Sequence, residues 1–385
     1  MKRPRARRLS SIGDDGYMPP GDCREKNSNH RGIRMQLNER KISRRGLISA
    51  ASVLLAAPFI IRADRAFAQG GEISFVTWGG QYKEAVQKAV IEPFTKETGI
   101  KVNVIDTPDL AKVKAQVTSG NVDWDVFDAP SALGATGSKE GYWEALDPAL
   151  FVKDDLVLPA TSDRVPFYTF AGGIAWDPAK FPEGKHPTTF AEYFDYEKFP
   201  GRRTFRDRPS ETLEATLLAD GVSPSELYPL DVDRAFKKLD SIKPYVASWV
   251  AATPQTVTLL QTGEVDFSYT YSGRVKPTQA SDKPLSFSFA ETLIGTEYLT
   301  VVKGAPHKEN AFKFVSYALR PEAQASMMEQ LGYIPNSKKA LSILSDSARK
   351  WLPDPNSPRN VVLNDDWWAD NFETISRRFK EWILT

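Results

Sequence analysis

A tryptophan and a tyrosine flanking a glycine pair can hold a small solute without any reaction taking place. Trp78, Gly79, Gly80 and Tyr82 offer that combination. An aromatic face attracts an ammonium group by roughly 0.5–2 kcal/mol, and glycine amides at the start of a helix favour an anion. Further along, Val265 to Tyr271 alternates strictly, so Tyr269 and Tyr271 share one face of a strand. Ser272-Gly273-Arg274 follows and sets a guanidinium at that strand's end. Ser131, just beyond Trp124–Asp128, is a further polar candidate, although a serine there commonly caps a helix. Arg202, Arg203, Arg206 and Arg208 form a basic cluster that could grip an anion, with a solvated rim as its expected use.

Other chemistries find little support. Beyond residue 68 there are two histidines, His186 and His307, both in Pro-flanked loops, and no nucleophile elbow, phosphate loop or zinc spacing. The chain is therefore expected to be no enzyme and to need no cofactor or metal. Tyr269 and Tyr271 keep open a ferric-ion or small-anion reading, because phenolates with carboxylates suit a hard cation.

These residues need elements to position them. Ile73 to Val76 is a short apolar run that predicts a buried strand, broken by Gly79-Gly80. Ala85, Val86, Ala89, Val90 and Phe94 fall at helical spacing, and Gly99 predicts the helix end. Ile100, Val102 and Val104 alternate as a second strand. A β-α-β unit results, and in open parallel sheets ligands bind beyond the C-terminal strand ends. Val165 to Trp176 reads as an extended apolar segment whose Gly172-Gly173 pair would let the chain bend between two lobes. Helices are predicted over 210–218, 231–239, 256–260, 308–319 and 321–329, and strands over 265–271 and 299–302. The tail from 337 reads as helical with a Pro-rich break at 353–358.

Charge separates the two ends. Residues 1–68 carry 15 Lys and Arg against 6 Asp and Glu, while the remainder carries 35 against 43. An acidic body argues against nucleic acid as partner. The single cysteine, Cys23, lies in the basic end, so the body can form no disulfide. Residues 1–34 read as disordered or as an over-long start, with Met35 an alternative first residue. Residues 35–68 have the order of an export signal: Arg44-Arg45, the apolar stretch Leu47 to Ile61, and Ala66-Phe67-Ala68 as a small-x-small cleavage site. Twin-arginine export, cleavage after Ala68 and a periplasmic location are the expectations.

Four segments in order carry a family resemblance. They are Thr77–Tyr82, Trp124–Asp128, Gly263–Asp266 with Tyr271–Arg274, and Lys303–Phe314 running on to Arg320-Pro321-Glu322 and Gly332–Asn336. The chain resembles bacterial extracellular solute-binding proteins of ABC importers, specifically the spermidine/putrescine-binding type. That resemblance implies an α/β, two-lobed, type II periplasmic-binding-protein fold, each lobe a mixed sheet flanked by helices. It implies lobe 1 from 69–170 and 296–335, and lobe 2 from 171–295 and 336–385. It also implies a monomer that closes on a small molecule and hands it to an inner-membrane ABC permease. Carried over by position, Trp78 matches a first-loop aromatic and Ser131 a cleft serine. Glu211 or Glu214 matches a lobe-two carboxylate, Tyr271 replaces a frequent Trp, and Glu297 replaces an amine-binding Asp. Trp249 completes the assigned set. Gly80 and Arg274 stand where putrescine binders carry acids, so a solute with both amine and carboxylate is expected at least as much as a polyamine. The competing role for Arg274 is an ion pair with Glu297 or Glu291.

Overall fold

The computed structural model describes residues 70–385; the expectations for the first 68 residues lie outside them. The sheet's backbone is built from two parallel sets of strands joined by two long antiparallel ones. β1 (Glu72–Thr77) pairs in parallel with β2 (Lys101–Asp106) and β3 (Val126–Pro130). The helical run between β1 and β2 comprises α1 (Gln81–Val86), a π-helical turn (Gln87–Ile91) and α2 (Glu92–Thr98). Gly99, at φ 73°, ends it in the left-handed region, a conformation that glycine adopts without a Cβ penalty. Its apolar residues Val86, Val90 and Phe94 are buried, as their spacing requires. α3 (Leu110–Ser119) is capped by Asp109, whose carboxylate accepts from the Ala111 amide at 2.9 Å. α4 (Ser131–Glu140) follows directly on β3.

β4 (Val165–Trp176) carries the chain across the molecule. Its first part pairs antiparallel with β9 (Leu293–Val301), and its second part with β7 (Phe267–Tyr271). β7 in turn lies parallel to β5 (Arg203–Arg206), and β5 to β6 (Val246–Val250). The sheet order is therefore β2-β1-β3-β9-β4-β7-β5-β6, with the two-residue β8 (Ser286–Phe287) on the side of β4. The predicted bend at Gly172-Gly173 is replaced by another use of these residues. β4 runs through the pair unbroken, and a Cβ there would fall 2.1 Å from the Tyr269 hydroxyl and 2.8 Å from the Phe287 ring. The glycines make room for neighbouring rings.

α5 (Thr212–Ala219) and α6 (Val232–Ile242) cover the β5–β7 half. A single helical turn, Ser272–Val275, follows β7 directly and carries Arg274. The C-terminal helix Asp365–Leu384 lies across both halves: Tyr298 bonds Asp365 at 2.7 Å, while Trp368 donates to Glu214 at 2.6 Å. Trp368 is wholly buried, as packing and not ligand contact requires. Among the described residues no helix is long and apolar enough to cross a membrane, and no group of His, Cys, Asp and Glu could hold a metal ion.

Candidate functional site

The strand ends converge on one cleft. Trp78 follows β1, Pro130 ends β3, Tyr168 and Phe170 come from β4, Tyr271 ends β7, and Glu297 sits in β9. Arg208, Thr253, Arg274 and Tyr333 complete the lining. The side chains close tightly, leaving about 20 Å³, room for one water.

Several polar groups of the cleft are held by defined partners. The Trp78 indole donates to Glu297 Oε1 at 2.7 Å. Behind Glu297, Asp128 accepts from Thr77 at 2.5 Å and Tyr82 at 2.7 Å, both on Oδ2. Its Oδ1 has no partner. Burial raises the pKa of both carboxyls; the Asp128 charge raises Glu297 further, while the Thr77 and Tyr82 hydroxyls and the Arg274 charge hold Asp128 down to about 6. Two carboxylates this close, away from water, cannot both ionise, so they share one proton. Glu297 is the member raised further.

The opposite wall is cationic. Arg208 donates to the Tyr271 hydroxyl at 2.7 Å and forms a short ion pair with Glu211. Glu211 also accepts from the Tyr269 hydroxyl at 2.8 Å. Its backbone stands at φ 72°, a region costly for a non-glycine residue, and buried bonds on both carboxylate oxygens hold it there. Arg274 donates to the Gly79 carbonyl at 2.6 Å and lies 5.2 Å over the Tyr82 ring. It forms no ion pair with Glu297 or Glu291; Glu291 accepts from the Phe190 amide instead. Gly80, at φ 69°, leaves space for Pro254 and the Arg274 guanidinium.

The structure thus brings Trp78, Tyr271, Arg274 and Glu297 to one cleft, with Gly79, Gly80, Tyr82 and Glu211 directly behind them. Two assigned residues stand apart. Ser131 bonds the Thr296 amide and carbonyl at 2.8 and 3.2 Å, so its hydroxyl ties α4 to β9. Trp249 stacks on Phe205 and meets Phe379 and Trp382 edge-on, as part of the apolar core. The basic cluster is mostly not the solvated rim expected of it. Arg203 and Arg206 are buried, Arg208 keeps 14% of its side chain exposed, and only Arg202 keeps half its side chain in water. Arg208 was thereby missed as a cleft residue, along with Tyr168, Phe170, Thr253 and Tyr333. Tyr168 and Tyr333 stack at 4.8 Å and 7°, and only the turn signal at Gly332–Asn336 pointed to that loop.

A sheet read at its strand ends, with aromatic walls, two guanidiniums and a carboxyl facing one gap, defines a small-solute receptor. The chain belongs to the bacterial extracellular solute-binding proteins, whose family model matches residues 89–352. It is 34% identical to the γ-aminobutyric acid-binding protein of Pseudomonas aeruginosa, over 83% of this chain and 93% of that protein. To the spermidine/putrescine-binding periplasmic protein 1 of Haemophilus influenzae it is 25% identical, over 75% and 82%. Among solved structures, the A. tumefaciens R10 binding protein AgtB in complex with agropinic acid matches at a TM-score of 0.76 and 35% identity, covering 82% of this chain and 99% of that one. The Atu4243 GABA receptor matches at 0.72 and 33%, covering 81% and 97%. The fold is therefore that of periplasmic binding proteins, and the chain is the solute-binding part of an ABC transporter.

Proposed function

We propose that the chain is a periplasmic receptor for a small solute bearing both an amine and a carboxylate, delivered to an inner-membrane ABC permease. One observation carries this reading: Arg208 and Arg274 face Glu297 across a single aromatic-walled cleft. The guanidiniums suit a carboxylate, held in a planar fork. Glu297, with Trp78 beside it, suits an ammonium. A polyamine would meet two fixed cations whose charge Glu211 and the Asp128–Glu297 pair already offset, leaving no free carboxylate for its two or more ammoniums. The relatives that take γ-aminobutyrate and agropinic acid support the same class. We place the lobes at 69–170 with 296–335 and at 171–295 with 336–385, with β4 and β9 as the crossing strands, and no catalytic step is assigned. Twin-arginine export of residues 35–68 and a monomeric state belong to this reading.

The ferric alternative loses ground on the phenols. Burial raises the pKa of Tyr269 well above its ordinary value, and that of Tyr271 to about 12, while Glu211 and Arg208 occupy their hydroxyls. A thermal-shift panel on residues 69–385 tests the proposal. γ-Aminobutyrate is expected to raise the melting temperature, with no shift from putrescine, butyrate or ferric ion. A ligand at 100 times its Kd stabilises by about 2.7 kcal/mol. Arg274→Ala should abolish the shift; a shift from putrescine retained in that variant would refute the reading.

A further inference from the structure

The inner cleft is too small for the solute it should hold. Trp78 and Arg208 also line a second space of about 780 Å³. It lies between the turn after β2, the segment after β5 and the C-terminal helix. On its wall stands Arg206, 2% exposed. Arg206 gives Nη2 to the Ala251 carbonyl at 3.0 Å, while Nε and Nη1 have no partner. It forms no ion pair among the described residues. Leaving a buried charged donor unpaired is costly, so a position of this kind calls for an acceptor.

The surrounding charges define that acceptor. Glu211 is committed to Arg208 and Tyr269. Asp128 and Glu297 share a proton and so carry one negative charge between them. Asp207, beside Arg206 in the chain, lies in the field of Lys380 as well and bonds neither nitrogen. With Asp207 set against Lys380, Arg206, Arg208 and Arg274 exceed Glu211 and the Asp128–Glu297 pair by one positive charge. A zwitterion with one amine and one carboxylate leaves that excess in place. A solute with one amine and two carboxylates removes it.

We infer that the solute carries a second carboxylate, reaching Arg206 through the larger chamber, and is an extended amino dicarboxylate and not γ-aminobutyrate itself. The inference rests on the amine-plus-carboxylate reading above and narrows its substrate class. Titration calorimetry on residues 69–385 tests it with γ-aminobutyrate, 2-aminopimelate and 4-(carboxymethylamino)butyrate. At least one dicarboxylate is expected to bind tenfold or more tightly than γ-aminobutyrate. In Arg206→Gln the ratio of the two affinities should fall to near one, and in Arg206→Lys, which keeps the charge but loses the fork, to an intermediate value. The wild-type ratio stands on its own if the variants do not fold. Binding of γ-aminobutyrate with no gain from any second carboxylate overturns this inference and leaves the receptor reading intact. So does a ratio unchanged in a folded Arg206→Gln protein. Binding of neither class overturns both.

Discussion

Two buried carboxyls meet different fates because of what surrounds them. Glu297 has Asp128 as neighbour and an indole as donor, and so belongs to the cleft. Glu214 is enclosed under the C-terminal helix, where Tyr228 and Trp368 both donate to Oε1 at 2.6 Å. Its Oε2 has no partner, and burial pushes its pKa up to about 7. A raised carboxyl favours the folded state while protonated; its contribution is present below the unfolded value near 4.5 and is lost as pH rises through about 7. Wild-type protein should therefore lose stability on the order of 3 kcal/mol from this group between pH 4.5 and 7. Urea unfolding at pH 5 and pH 8 checks it. The pH 5 minus pH 8 difference should be smaller in Glu214→Gln than in wild type, and an equal difference would exclude Glu214 as its source. At this scale the sequence showed the residues that sit at strand ends, Trp78, Tyr271 and Arg274, because strand period and a glycine break locate an end. It did not show that Arg206 is buried or that Arg208 turns into the cleft. An arginine is drawn inward when groups distant in the chain receive it, and the Tyr271 hydroxyl that receives Arg208 and the Ala251 carbonyl that receives Arg206 come from other segments.

Elements place these residues through close passes that only glycine allows. At Gly172 on β4, an added Cβ would stand 2.1 Å from the Tyr269 hydroxyl and 3.4 Å from Glu211 Oε2. Tyr269 is 1% exposed and has nowhere to withdraw. Gly172→Ala should cost about 1–3 kcal/mol by overpacking and should weaken solute binding, because the shift breaks the Tyr269–Glu211 bond that steadies Arg208. Adding Tyr269→Phe removes the clashing oxygen and should restore part of the melting temperature but not the affinity. If the double variant is no more stable than Gly172→Ala alone, the clash is not the cause. The helices and most strands were readable in advance, because periodicity and caps are local: Asp231 caps α6, whose Ala235, Phe236 and Leu239 are buried. The N-terminal part of β9 was not. Leu293 to Thr296 alternates weakly, and its strand character comes from pairing with β4 at one side and Val361-Val362 at the other.

At the scale of the whole molecule, the C-terminal helix ties together what β4 and β9 merely connect. It reaches the β1–β3 half through Tyr298 and an ion pair of Asp370 with Lys139 at 2.6 Å. It reaches the β5–β7 half through Trp368, through Phe379 against Phe236, and through Arg378 to Asp233 at 2.6 Å. The exposed ion pairs contribute about 0–1 kcal/mol each. Trp368, Ile375 and Phe379 are buried, and each such side chain contributes about 1.5–3 kcal/mol. Their sum is comparable to the entire stability of an ordinary domain. A chain ending at Asn364 should therefore lack a cooperative thermal transition, while Asp370→Ala together with Arg378→Ala should shift the midpoint by only a few degrees. Differential scanning calorimetry separates the cases. A truncated chain that still melts cooperatively near the wild-type temperature would show that the two halves hold together through the crossing strands alone. The Arg206 chamber, which this helix walls, would then be dispensable to the fold and open to solvent in that variant, and any dicarboxylate preference should vanish with it.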